Sequence, residues 1–191
     1  MLVSVPLSPS LLAELVRGED LGSLRGYATT PGLFETVGYS AEQQEEAERA
    51  TVIFASIDAL ATYGTRLVAV AETAVRRPGE EGDDLNGEVE IDHLVWPAVL
   101  AVYMDDPAAA EDVARLAPCV ADLNLDDAWE TPGVVDLVQR WELMWFAPAE
   151  AAVMAEGVPA WSAGTPSEGG QGMSVTGEIV VAEGFDAPGR P

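Results

Sequence analysis

SAEQQEEAERATVIFASIDALATYGTRLVAVA, residues 40–71, decides the fold. Ser40 and Gln43 have the spacing of a capping box. Glu42, Glu45, Glu46 and Glu48 crowd the turns that follow, where a helix dipole favours negative charge. Ala47, Ala50, Phe54, Ile57 and Ala61 then recur on one stripe, the period of an amphipathic helix. The pattern predicts a helix from Ala41 to about Thr62, broken at Gly64. Arg66 to Ala71 follows as a nearly continuous apolar run, the pattern of a strand covered on both faces. A long helix feeding such a strand requires a layered fold of both element types.

Towards the N-terminus, Leu2 to Pro6 alternates and reads as a first strand. Ser8 and Pro9 supply an N-cap and a first helical residue. Leu11, Leu12, Leu15 and Val16 form that helix's apolar face, and Gly18 ends it. Tyr27 to Thr30 reads as a short second strand before the turn pair Pro31-Gly32. Towards the C-terminus, residues 76–88 read as a loop and Val89 to Ile91 as a strand. Ala98 to Met104 is another strand, closed by Asp105, Asp106 and Pro107. Asp106 and Pro107 open a helix that Pro118 is expected to stop. Val134, Leu137, Val138 and Trp141 share a helical face, Leu143 to Phe146 is a last strand, and Pro148 opens a closing helix.

Strands and helices mix without strict βαβ alternation. The expected class is therefore α+β, a single mixed sheet with helices packed mainly on one face. Residues 1–156 are expected to form one domain, and the Gly- and Pro-rich residues 157–191 a flexible tail.

Composition narrows function mostly by exclusion. There are 33 acidic residues against 9 basic ones, and the net charge is -24. All the basic residues are arginine. Such a chain repels phosphates and anionic headgroups, so neither direct nucleic-acid binding nor membrane binding is expected. One cysteine excludes an internal disulfide and fits a reducing compartment. Met1 to Pro6 lacks the basic and long apolar regions of a signal peptide, and no apolar run reaches membrane length. The expected location is cytoplasmic.

Catalytic parts are scarce. His93 stands beside Asp92, but no second His or Cys completes a zinc set. Asp84-Leu85-Asn86-Gly87 has the look of the middle of a calcium loop, yet Gly82 and His93 occupy its first and bidentate ligand positions. Cys119 follows Pro118 at a helix end, where a thiol is not activated, and reads as a small packing residue. Asp105 and Asp106 end a strand, a common place for functional carboxylates, although capping already accounts for Asp106. Trp129, Trp141, Trp145 and Phe146 gather in the C-terminal part; alternation would put Trp145 in the core, with Met144 and Phe146 opposite. No pattern for a cofactor or a metal is present.

Several short stretches, taken in order, resemble an uncharacterised actinobacterial family. They are Met1 to Pro6, Tyr27 to Pro31, Glu45-Glu46, Arg66 to Val70, Ala101 to Asp106, and Glu142 to Ala147. Together they span about residues 1–155. The resemblance implies an intracellular α+β domain from a high-GC Gram-positive bacterium and carries no catalytic residues. Tyr103 stands where relatives are expected to have histidine, which weakens the case for chemistry at that strand end.

The sequence thus favours a non-catalytic protein-interaction or regulatory domain with a protein partner, one of basic character being the natural match. Its binding candidates are Asp92, His93, Asp105, Asp106, Trp141 and Trp145. One alternative is a carboxylate enzyme, with Mg²⁺ as an option, built on Asp105, Asp106 and the Glu88–Asp92 strand. The other is an acidic nucleic-acid mimic.

Overall fold

The computed structural model describes residues 1–76 and 85–155. Six strands form one sheet: β1 (Leu2–Pro6), β2 (Leu24–Tyr27), β3 (Val68–Glu72), β4 (Glu88–Ile91), β5 (Val99–Met104) and β6 (Met144–Phe146). Their order is β4-β2-β1-β3-β5-β6. Seven α-helices accompany them: α1 (Pro9–Val16), α2 (Pro31–Val37), α3 (Gln44–Tyr63), α4 (Ala110–Val120), α5 (Leu125–Glu130), α6 (Val134–Arg140) and α7 (Pro148–Ala155). The class is α+β, as expected. Every pairing of named strands is antiparallel, where a mixed sheet was expected. The reason is the place of β1. It pairs with both β2 and β3, so the two strands that α3 joins in parallel never become neighbours.

Alternation along the strands sorts the core into two faces. Val3 and Val5 of β1, Ala69 and Ala71 of β3, and Val89 and Ile91 of β4 pack with Leu12 and Leu15 of α1 and Ala151 of α7. The opposite face carries α3. There Ser4 meets Thr51 through their hydroxyls at 2.9 Å, and Tyr27 and Val68 pack with Ala55. Behind α3, the buried Ile57, Leu60 and Ala61 meet Val113 and Leu116 of α4, Ala128 of α5 and Leu137 of α6. Helices α3 to α6 therefore lie on one side of the sheet, while α1 and α7 cover an apolar cluster on the other.

Local chemistry explains where elements start. Ser8 accepts the Leu11 amide at 3.2 Å, so α1 begins as its cap predicts. Thr29 and Thr30 are not strand: β2 ends at Tyr27, and Thr30 caps α2 by accepting the Leu33 amide at 3.1 Å. Pro31 is thus a first helical residue rather than part of a turn. Gln43 does reach back to the Ser40 amide, at 3.0 Å, but this closes a turn ahead of α3, which starts at Gln44. Pro118 lies inside α4, which runs two residues beyond it. Cys119 is exposed there rather than packed. The helix α5 has no counterpart in the sequence reading; Asn124 caps it by accepting the Asp127 amide at 2.9 Å. No helix among the described residues is long and apolar enough to cross a membrane. The expected tail at 157–191 and residues 77–84 of the expected loop lie outside the described residues.

Candidate functional site

Asp105 follows the last residue of β5, and Arg66 lies two residues before β3. The antiparallel register brings them level. Arg66 is one of the largest fully buried side chains of the core. Its guanidinium donates from Nε to Asp105 Oδ1 at 2.8 Å and from Nη2 to the same oxygen. Nη2 also donates to the Trp141 carbonyl at 2.9 Å. One side chain thus ties the start of β3, the end of β5 and the segment entering β6. Burial pushes the Asp105 carboxyl up, against the pull of Arg66. Asp106 turns away and accepts the Ala108 amide at 2.8 Å, capping the 3₁₀ turn before α4. The two carboxylates do separate structural work.

Asp92 and His93 sit at the corresponding end of β4. Four strand spacings separate β4 from β5 in the sheet order, roughly 19 Å. Asp92 pairs with Arg76 at 2.9 Å. His93 is exposed and its Nδ1 meets Asp20 Oδ2 at 2.8 Å, joining two loops. The Gly22 amide and His93 hold the Asp20 carboxyl below its ordinary range. The fold therefore leaves the two groups of acidic candidates apart. Among the described residues, no three His, Cys, Asp or Glu side chains gather as a ligand set.

Trp141 ends α6, and its indole donates to Asp112 Oδ2 at 2.8 Å. Arg115 and Arg140 converge on the same carboxylate. These arginines, with Asp136, Leu116, Gly133 and Leu137, line a cleft of about 220 Å³ between α4 and α6. Two guanidinium groups there face two carboxylates, so the cleft is internally neutralised. The Trp141 indole, then Arg115, hold the Asp112 carboxyl below its ordinary value of 3.8. A lowered value means that Asp112 contributes stability above the unfolded value and loses it as pH falls through the folded one. The stability gap between wild type and Asp112→Asn should therefore be constant near neutrality and narrow as pH falls below about 4. Thermal melts from pH 6 to pH 3 check this, and a gap that widens on acidification would contradict it.

Sequence reasoning missed a second buried ion group. Asp58 lies on α3 with only 7% of its side chain exposed. Tyr27 donates its hydroxyl to Asp58 Oδ2 at 3.1 Å, and Thr62 donates to Oδ1 at 3.0 Å. Arg25 bridges Asp58 at 3.7 Å and Glu88 at 3.2 Å. Burial raises the Tyr27 phenol far above its ordinary range, so it stays a donor. The visible signal was the lone carboxylate in the apolar run Ile53 to Ala61. All these polar atoms face one another, which makes the group a clasp between α3 and β2.

The remaining candidate is the outer edge of β6. Trp145 lies opposite Tyr103, and Tyr103 packs on the α3 face. Trp145 is 52% exposed and Met144 37%, so Trp145 is outside the core, contrary to expectation. Phe146 packs against the main apolar cluster instead. Trp141, Trp145 and Phe146 are thus not exposed together: Trp141 is held by Asp112, Trp145 lies beside Tyr103, and Phe146 packs on the main cluster. β6 ends the sheet, and no strand among the described residues pairs with its outer side. In the neighbouring strand β5, Val70 opposes Ala101 and Ala71 opposes Val99, so Leu100 is the extra residue of a bulge and stands 49% exposed.

No curated protein and no solved structure matches the chain. Residues 1–154 match the model of a family of unknown function (DUF6912).

Proposed function

The chain belongs to that family of unknown function, and we propose that it is a non-catalytic, protein-binding domain. Its setting is the cytoplasm of an actinobacterium, and its partner is a protein rather than nucleic acid or a membrane. The observation that carries this reading is Trp145, half exposed on a sheet edge that no described strand covers. Large aromatic side chains on open surface are the residues that dominate interface energy. The polar candidates support the same reading from the other side. Asp105, Asp106, Asp92, His93 and Trp141 are each engaged by a structural partner, so none of them needs a substrate to account for it.

The test is a tagged pull-down from an actinobacterial lysate at low and moderate salt, run with wild type and Trp145→Ala. We expect a stoichiometric protein that survives moderate salt with wild type. Trp145→Ala should weaken its capture by at least about 30-fold, as for an interface residue worth about 2 kcal/mol. The melting temperature should barely change, because surface truncations stay within about 0.5 kcal/mol. An empty eluate at both salts would overturn the reading, as would undiminished capture by Trp145→Ala.

A further inference from the structure

The two edges of the sheet are built differently. On the β4 side, Arg76 forms a backbone bridge with Glu90, with N–H···O distances of 2.7 and 2.8 Å in the two directions. Its guanidinium then joins Glu90 and Asp92 across that edge at 3.0 and 2.9 Å. A bridged edge lined with charges resists a further strand. On the β6 side, Leu143 to Ala149 contains no charged residue at all, in a chain of net charge -24. Glu142 precedes this stretch and Glu150 follows it. Asp105 and Asp106 leave β5 beside the start of β6, as the pairing of Met104 with Met144 requires.

We propose that the partner binds as an added strand, pairing an extended basic segment with the outer edge of β6. This rests on the protein-binding reading above. Main-chain bonds to the edge would supply affinity, and alternate side chains would supply specificity. Residues alternating towards the Trp145 face are apolar, since they meet an indole. The flanking residues are arginine or lysine, since they pass Glu142 at one end and, at the other, Glu150, whose Oε2 accepts the Ala147 amide at 2.9 Å and keeps its negative charge. The charge argument also decides against a second copy of this chain. Two strongly acidic surfaces would be brought together around the edge, and like charges oppose such an approach.

The probe is a nine-residue synthetic peptide with arginine at each end and valine alternating with threonine between them, titrated into the full chain at moderate salt. Two controls accompany it: a peptide with glutamate for arginine, and one with the same arginines but proline for every second valine. Amide exchange and nitrogen–proton spectra report where each binds. We expect the amides of residues 143–146 to shift, and the outward-facing ones among them to exchange about ten-fold more slowly, with the first peptide only, the scale of one added bond network worth about 1.4 kcal/mol. Trp145→Lys should weaken binding at least ten-fold without changing the melting temperature. Equal binding by the proline peptide would overturn the proposal, because it keeps the charge and cannot pair as a strand. Protection confined to another surface would overturn it as well. A pull-down partner whose footprint lies off β6 would remove this mode and leave the protein-binding reading standing; an empty pull-down would remove the reading itself.

Discussion

Arg66→Leu should lower the stability of the fold by about 4 kcal/mol, read as a fall in the urea midpoint at unchanged slope. The substitution deletes a cation whose side chain is 1% exposed, while its partner Asp105 remains 17% exposed. Removing one member of a buried pair leaves the other charge without compensation, which is the costly case. The Trp141 carbonyl also loses its donor. In Arg66→Leu only the backbone amide of residue 66 still opposes the burial that already pushes Asp105 up. A carboxyl with a raised folded value is destabilising above that value and harmless once protonated, so the deficit should shrink as pH falls. Arg66→Leu combined with Asp105→Leu should recover much of the loss, to within about 2 kcal/mol of wild type, because an apolar pair can replace a buried ion pair. Arg66→Lys should not rescue, since an ammonium cannot reproduce the forked contacts. A single variant within about 1 kcal/mol of wild type would show that the clamp contributes little.

Asp58→Ala should cost about 3 kcal/mol, the second largest effect. Tyr27 is fully buried, and its hydroxyl would lose the acceptor it has at 3.1 Å. An unsatisfied buried hydroxyl alone costs about 1–3 kcal/mol. Thr62 loses its acceptor too, while Arg25 is half exposed and keeps Glu88, so its share is small. Asp58→Asn retains an acceptor oxygen in nearly the same shape and should cost only about 1 kcal/mol. A double-mutant cycle with Tyr27→Phe should give a coupling of about 1–2 kcal/mol. Equal losses in the alanine and asparagine variants would refute the role given to the carboxylate oxygens.

The sequence showed those parts of the fold whose causes are local. Ser8 with Pro9, the alternation of Leu2 to Pro6 and the apolar run after Leu67 each act through neighbours in the chain, and β1, α1 and β3 lie close to where they point. Thr30 and Pro31 carried an equally good capping signal, but Gly32 made the pair look like a turn. Pro118 was read as a stop because proline removes a helical donor; so near the end of α4 only two residues follow it in the helix. The site was harder to read because its logic is long-range. Arg66 and Asp105 are 39 residues apart in sequence, and Tyr27 and Asp58 are 31 apart. No spacing rule joins such pairs before the register of the sheet is known. Arg66 looked like the polar start of a strand, and its burial against the strand next door was invisible. Trp145 was misplaced for a related reason. Alternation tells which side chains share a face, but not where the covering helix ends.

The strand order has a consequence for how the protein is made. Beginning from β1 at the centre, the sheet widens to either side in the order of synthesis: β2 and β3 flank β1, β4 and β5 flank those, and β6 is laid down last. Each strand after β1 meets a neighbour already made and never has to wait for one still unmade. A chain emerging at about 5–20 residues per second can therefore be consolidated as it grows. At every stage of that growth the newest strand is also the rim, so the rim is renewed until β6 becomes the last one.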